Sequence, residues 1–104
     1  MGRILVTSRT RDVLAEVGAR LRQYRLQRNL RVEDLSVASG VSERTLNRME
    51  AGRSVGTENL VRVLRGLGRL QALDAFLPEP EVSPLQLASL GGKRRRRASG
   101  GEHA

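Results

Sequence analysis

Residues 32–52 read VEDLSVASGVSERTLNRMEAG, a pattern with the form of two short helices joined by a tight corner. Leu35 is followed by the small Ser36, and four residues further on Gly40 can take the positive φ that a sharp inter-helix turn needs at little cost. Val41 then plugs the corner. Ser42 is a good N-cap, its hydroxyl able to accept from the free amides of a helix starting at Glu43. On that second helix Leu46 and Met49 stand three apart and turn inward, leaving Glu43, Arg44, Asn47 and Arg48 on the outward side. An exposed helix face bearing Arg, Asn and Thr is what reading base edges in a DNA major groove requires.

Upstream, the pattern is helical from about Thr10 or Asp12 to Gln27. Val13, Leu14, Val17, Leu21 and Tyr24 recur at steps of three and four, with Arg20, Arg22, Gln23 and Arg28 on the other side. Arg25 falls near the apolar stripe and needs a partner there; Glu50, at the end of the outward-reading helix, is the candidate. Asn29 to Arg31 form a break, and a helix from Val32 to about Ser39 opens on Glu33 and Asp34, as the helix dipole favours. Downstream of a helix ending near Ala51, RSVG is a loop. Thr57 can cap a fourth helix to about Gly66 or Leu67, built on Leu60, Val63, Leu64 and Leu67, and a short fifth helix spans Leu70 to Leu77.

The ends have a different character. Residues 1–10 hold a short β-prone run, GRILVTS, that is an extended segment, frayed or paired with a second protomer. Pro78, Pro80 and Pro84 deny helix after residue 77, SPLQLASL suggests one further short helix, and GGKRRRRASGGEHA is a basic tail of the kind that stays disordered. The expected organisation is therefore an extended segment over 1–10, a helix-turn-helix domain over 11–77, and a Pro-linked short helix with a basic tail over 78–104.

A chain of 104 residues has room for one small all-α domain, marginal enough alone that dimerisation would help. There are no cysteines and a single histidine, His103, so neither a disulfide nor a metal centre is expected, and no cofactor. No apolar run can span a bilayer and no signal-peptide pattern is present, which makes the cytoplasm the default location. The net charge is +8, of which Lys93 and Arg94 to Arg97 against Glu102 supply half, so the domain is basic without its tail. A polyanionic partner suits that balance, although basic excess also serves solubility. No Ser/His/Asp set or metal cluster supports an enzyme.

With these residues in view, the stretch from Val17 to Leu67 resembles the XRE/Cro type helix-turn-helix domain, the five-helix, lambda-repressor-like fold of many repressors and antitoxins. The resemblance rests on Gly18, Leu21, Arg22 and Arg25, on Leu35, Gly40 and Val41 around the turn, and on Leu46, Met49, Glu50 and Gly52. It implies that Arg25 pairs with Glu50 to brace the recognition helix. The sequence departs from the family where Arg31 and Val32 replace the usual Ser or Thr and Gln, removing a cap and an amide contact to phosphate. The layout also looks like a HipB-type antitoxin, whose partner is a HipA-like kinase toxin.

The expected function is a sequence-specific repressor, a homodimer on a palindromic operator of double-stranded DNA, autoregulating a toxin–antitoxin operon. Arg44 and Arg48 are the candidates for guanine, Glu43 for cytosine, and Thr45 or Asn47 for adenine or a thymine methyl. Ser42, Arg31 and Arg53 are the candidates for phosphate. Alternatives are a toxin-binding or other protein-interaction module with little DNA binding, a phage- or plasmid-type repressor with no toxin, and a helix pair used only for packing.

Overall fold

The computed structural model describes residues 2–81 and 83–85. Five helices follow in order: α1 (Thr10–Gln27), α2 (Val32–Ser39), α3 (Glu43–Glu50), α4 (Thr57–Gly66) and α5 (Ala72–Phe76). There is no strand among the described residues, and no described helix is long and apolar enough to cross a membrane. The chain divides into two units, one ending at Ala72 and one beginning at Leu73. Within the first, α1 packs on α3, and α2 packs on both α3 and α4.

The core of the first unit is small and aliphatic. Leu21, Leu35, Val41, Leu46, Met49, Val63 and Leu67 are buried, with Val17, Val32, Val55, Leu60 and Leu64 packed against them. Burial of each large aliphatic side chain stabilises by about 1.5–3 kcal/mol, so these few residues carry most of the favourable term. The corner residues of the opening stretch are therefore at once the joint between α2 and α3 and more than half of the core.

Helix ends are set by local chemistry. α1 stops because Asn29, at φ 56°, takes the left-handed conformation that Asn tolerates, so that the Asn29 and Leu30 amides return to the Leu26 and Arg25 carbonyls. α4 closes in the same way at Gly68. The α2–α3 corner turns on Gly40, at φ 74°, where an L side chain would be strained.

Several local expectations need correcting. α2 is capped after all: Arg31 offers no acceptor, but Asp34 reaches back to accept the Arg31 backbone N–H at 2.9 Å, the reciprocal half of a capping box. That bond, with a longer one from the Arg31 guanidinium, holds the Asp34 carboxyl below its ordinary range. Thr57 is the first residue of α4, not its cap, because Gly56 at φ 89° occupies the capping position; Asn59 donates instead to the Val55 carbonyl at 2.8 Å. α5 is shorter than expected, five residues in place of Leu70–Leu77. Tyr24 lies outside the core, its ring 4.0 Å from the Arg69 guanidinium carbon.

The N-terminal segment forms no strand. It folds back on α1, where Glu16 accepts the Gly2 N–H at 2.8 Å and Arg20 bridges the Glu16 carboxylate, at 2.9 Å, and the Gly2 carbonyl, at 3.1 Å. Arg20 thus ties the N-terminal segment to the α1 surface. Pro84 and Leu85 are helical, and the remainder of the short helix expected there lies outside the described residues, as do the basic tail and His103.

Candidate nucleic-acid interface

α3 is positioned from both ends and from one side. At its start Ser42 accepts the Thr45 N–H at 3.1 Å and donates its own hydroxyl to Thr45 Oγ1 at 3.0 Å. The Thr45 hydroxyl hydrogen is left available to an outside acceptor. At its far end Gly52, at φ 84°, reverses the chain, and the Arg53 amide returns to the Arg48 carbonyl at 2.9 Å. Along its inner side Leu46 and Met49 are buried.

The side facing α1 is held by close backbone approach. A Cβ at Gly18 would stand 2.5 Å from the Met49 carbonyl oxygen and 2.7 Å from that of Glu50, so only glycine fits beneath the end of α3. One turn earlier, a Cβ at Gly52 would stand 2.7 Å from the Ala15 Cα. Beside this contact Arg25, a residue only 7% exposed, donates Nε–H to Glu50 Oε2 at 2.7 Å and Nη2–H to Oε1 at 3.0 Å. Its third bond, from Nη1, goes to the Leu30 carbonyl at 2.8 Å. These bonds to Glu50 raise the Arg25 pKa above its already high ordinary value, so the guanidinium stays charged at every pH the protein meets. One side chain thereby joins α3, α1 and the break before α2.

The outward face is turned away from the core. Glu43, Arg44, Asn47 and Arg48 are exposed on α3, and their side chains make no hydrogen bond or ion pair among the described residues. Thr45 is half-buried against the cap, and Arg53 is exposed in the following loop. Arg31 belongs to another helix, at the N-cap of α2, within 4.0 Å of Glu33 and 3.5 Å of Asp34. All five candidates for base edges are thus carried on α3, with Ser42 at its cap and Arg53 in the loop that follows, while Arg31 already has acidic neighbours. The clamp formed by Gly18, Ala15 and Gly52 had only a partial signal in the sequence, the glycines themselves, because nothing local says which backbone each one meets. Among the described residues no group of His, Cys, Asp and Glu could hold a metal ion.

Residues 16–76 match the family model described as a helix-turn-helix domain. The chain belongs to that family, and the arrangement of α2, α3 and their corner is that of an XRE-like helix-turn-helix DNA-binding protein. It is 38% identical over 50 residues to the HTH-type transcriptional regulator PrtR of Pseudomonas aeruginosa, a match covering 48% of this chain and 20% of that protein. The chain thus spans about a fifth of the length of the curated relative it matches. No solved structure matches it.

Proposed function

We propose that the protein is a sequence-specific transcriptional repressor, acting in the cytoplasm as a homodimer on a palindromic operator. The observation that carries this reading is the division of α3 into two faces. Its inner face is consumed by the core, the glycine contacts and the Arg25–Glu50 pair, whereas Glu43, Arg44, Asn47 and Arg48 are held out by a rigid helix with nothing of their own to bind. Arg44 and Arg48 are one turn apart and reach guanine O6 and N7, each bidentate contact contributing about 1–3 kcal/mol of discrimination. Glu43 accepts from cytosine N4, and Asn47 or Thr45 addresses adenine or a thymine methyl. Ser42, the first amides of α3, Arg53 and Arg31 hold phosphate and set register.

One recognition helix spans too few base pairs for selectivity in a genome, so two copies on half-sites about one helical turn apart, ~34 Å, are required. The test is selection of a preferred duplex from a random library, followed by Arg44→Ala and Arg48→Ala. Each variant should keep its helical circular dichroism and lose about tenfold or more of its preference over mixed-sequence DNA. Unchanged preference in both would refute the assignment of the reading face. Sedimentation should show a dimer on the selected duplex; a monomer at micromolar concentration with and without DNA would refute the two-fold arrangement. An antitoxin role with a HipA-like kinase partner is supported by the resemblance in layout alone, and is tested by co-expression with a kinase encoded beside the gene. Failure to co-purify would leave a repressor without a toxin.

A further inference from the structure

The guanidinium groups of the described residues fall into two sets. Arg20, Arg25, Arg28, Arg31, Arg62 and Arg69 are each held by a carboxylate, a carbonyl or, for Arg69, the Tyr24 ring. The side chains of Arg9, Arg11, Arg44, Arg48 and Arg53 have no such partner among the described residues, a freedom shared with Arg3, Arg22 and Arg65. Arg44 and Arg48 belong to the reading face and Arg53 to the loop behind it, but nothing so far accounts for Arg11.

Its register on α1 does. The end of α3 lies over Gly18, through the Met49 and Glu50 carbonyls, and the chain then advances to Gly52, which lies over Ala15. From Glu50 to Gly52 the chain therefore advances along α1 toward that helix's N-terminus, Arg53 to Thr57 then line a cleft with Leu14, Val17 and Leu21, and one turn before Ala15 on the same face of α1 stands Arg11. Arg53 follows Gly52 directly and is fixed by its amide on the Arg48 carbonyl. Arg11 and Arg53 thus both adjoin one backbone contact, the first from α1 and the second from the loop after α3. The Glu50 carboxylate at the end of α3 is taken up by Arg25 with both oxygens, and Glu16 by Gly2 and Arg20. Unpaired cations at the edge of a recognition helix favour a polyanion.

We infer that Arg11 is a DNA-backbone contact, extending the interface from α3 and its loop onto the first turn of α1 and binding a phosphate adjacent to the one held by Arg53. The inference rests on the DNA-binding reading above and can fail independently of it. Arg11 anchors and orients the helix on the duplex without reading sequence, because a phosphate is the same at every step.

The experiment measures affinity for the selected duplex and for a mixed-sequence duplex between about 50 and 200 mM salt, for the full chain and for Arg11→Ala, Arg53→Ala, the double variant and Arg65→Ala. Loss of one phosphate contact should reduce the slope of log K against log salt by about 0.9, equally on both duplexes, and the double variant should lose about twice that. Arg65→Ala, at the C-terminal end of α4, should leave the slope unchanged. A wild-type slope retained in Arg11→Ala overturns the inference, as does a change confined to the selected duplex. A lower thermal midpoint with the slope intact would assign Arg11 to the fold alone. If the wild type binds neither duplex with a measurable salt slope, the DNA-binding reading itself fails; if it binds and only Arg11→Ala is silent, that reading stands.

Discussion

Arg25 is where chemistry and architecture meet in a single side chain. It is a buried cation whose donors go to both Glu50 oxygens and to the Leu30 carbonyl, so removing it strands a carboxylate and a carbonyl together. Arg25→Ala should therefore destabilise by about 3–5 kcal/mol in urea denaturation, the range for breaking a buried pair. Arg25→Met combined with Glu50→Leu should recover most of that loss, since an apolar pair of similar volume has no charge to desolvate. An equal loss in the single and double variants would show that the Leu30 carbonyl, and not the ion pair, dominates. Asp34 carries a pH-dependent contribution of defined sign. Its folded-state pKa is depressed, first by the Arg31 amide, so its stabilisation is fully present above the ordinary carboxylate pKa, about 3.9, and is lost as pH falls through the lower folded value. Asp34→Asn should flatten the acid limb of the stability profile and leave stability at neutral pH reduced, as read by thermal melts across pH. Glu16, depressed mainly by Arg20, acts in the same direction.

Among the helices, the end of α3 is the least forgiving place. Gly18→Ala puts a methyl group 2.5 Å from the Met49 carbonyl oxygen, where the obstacle is backbone and cannot rotate away. It should lower stability by about 1–3 kcal/mol, and DNA affinity should fall with it because the end of α3 is pushed off α1. An unchanged thermal midpoint would mean that the two helices separate freely. Much of this arrangement is legible in the sequence. Gly40, Val41, Ser42 and the spacing of Leu46 and Met49 place the corner and α3 correctly, because turn, cap and helical period are all local signals. What escaped reading is carried by contacts whose partner the local pattern does not name. The α2 cap comes from Asp34, three residues on from the N-cap Arg31; the N-terminal segment is tied by Glu16, fourteen residues on from Gly2; and Tyr24 is drawn to Arg69 in the connection after α4. The outward face of α3 was legible as exposed, whereas the sorting of arginines into held and free needed the partners in space.

For the whole molecule, electrostatics sets how binding responds to conditions. The +8 net charge is shared between the domain and the last residues, where Lys93 and Arg94 to Arg97 lie. Truncation after residue 77 should make the salt dependence of DNA affinity shallower while leaving the preference for the selected duplex over mixed-sequence DNA intact. Loss of that preference would place sequence reading outside α3. The separation of the two faces of α3 has one more outcome, at the level of descent. The residues that hold the helix in place, Leu46, Met49, Glu50 and the glycines at its end, are not the residues exposed on its outer side. Duplicated copies of this gene could drift at positions 43, 44, 47 and 48 toward new operators without first losing their fold. Transplanting a relative's residues at those four positions should accordingly transfer its operator preference while the melting temperature of the recipient stays where it was.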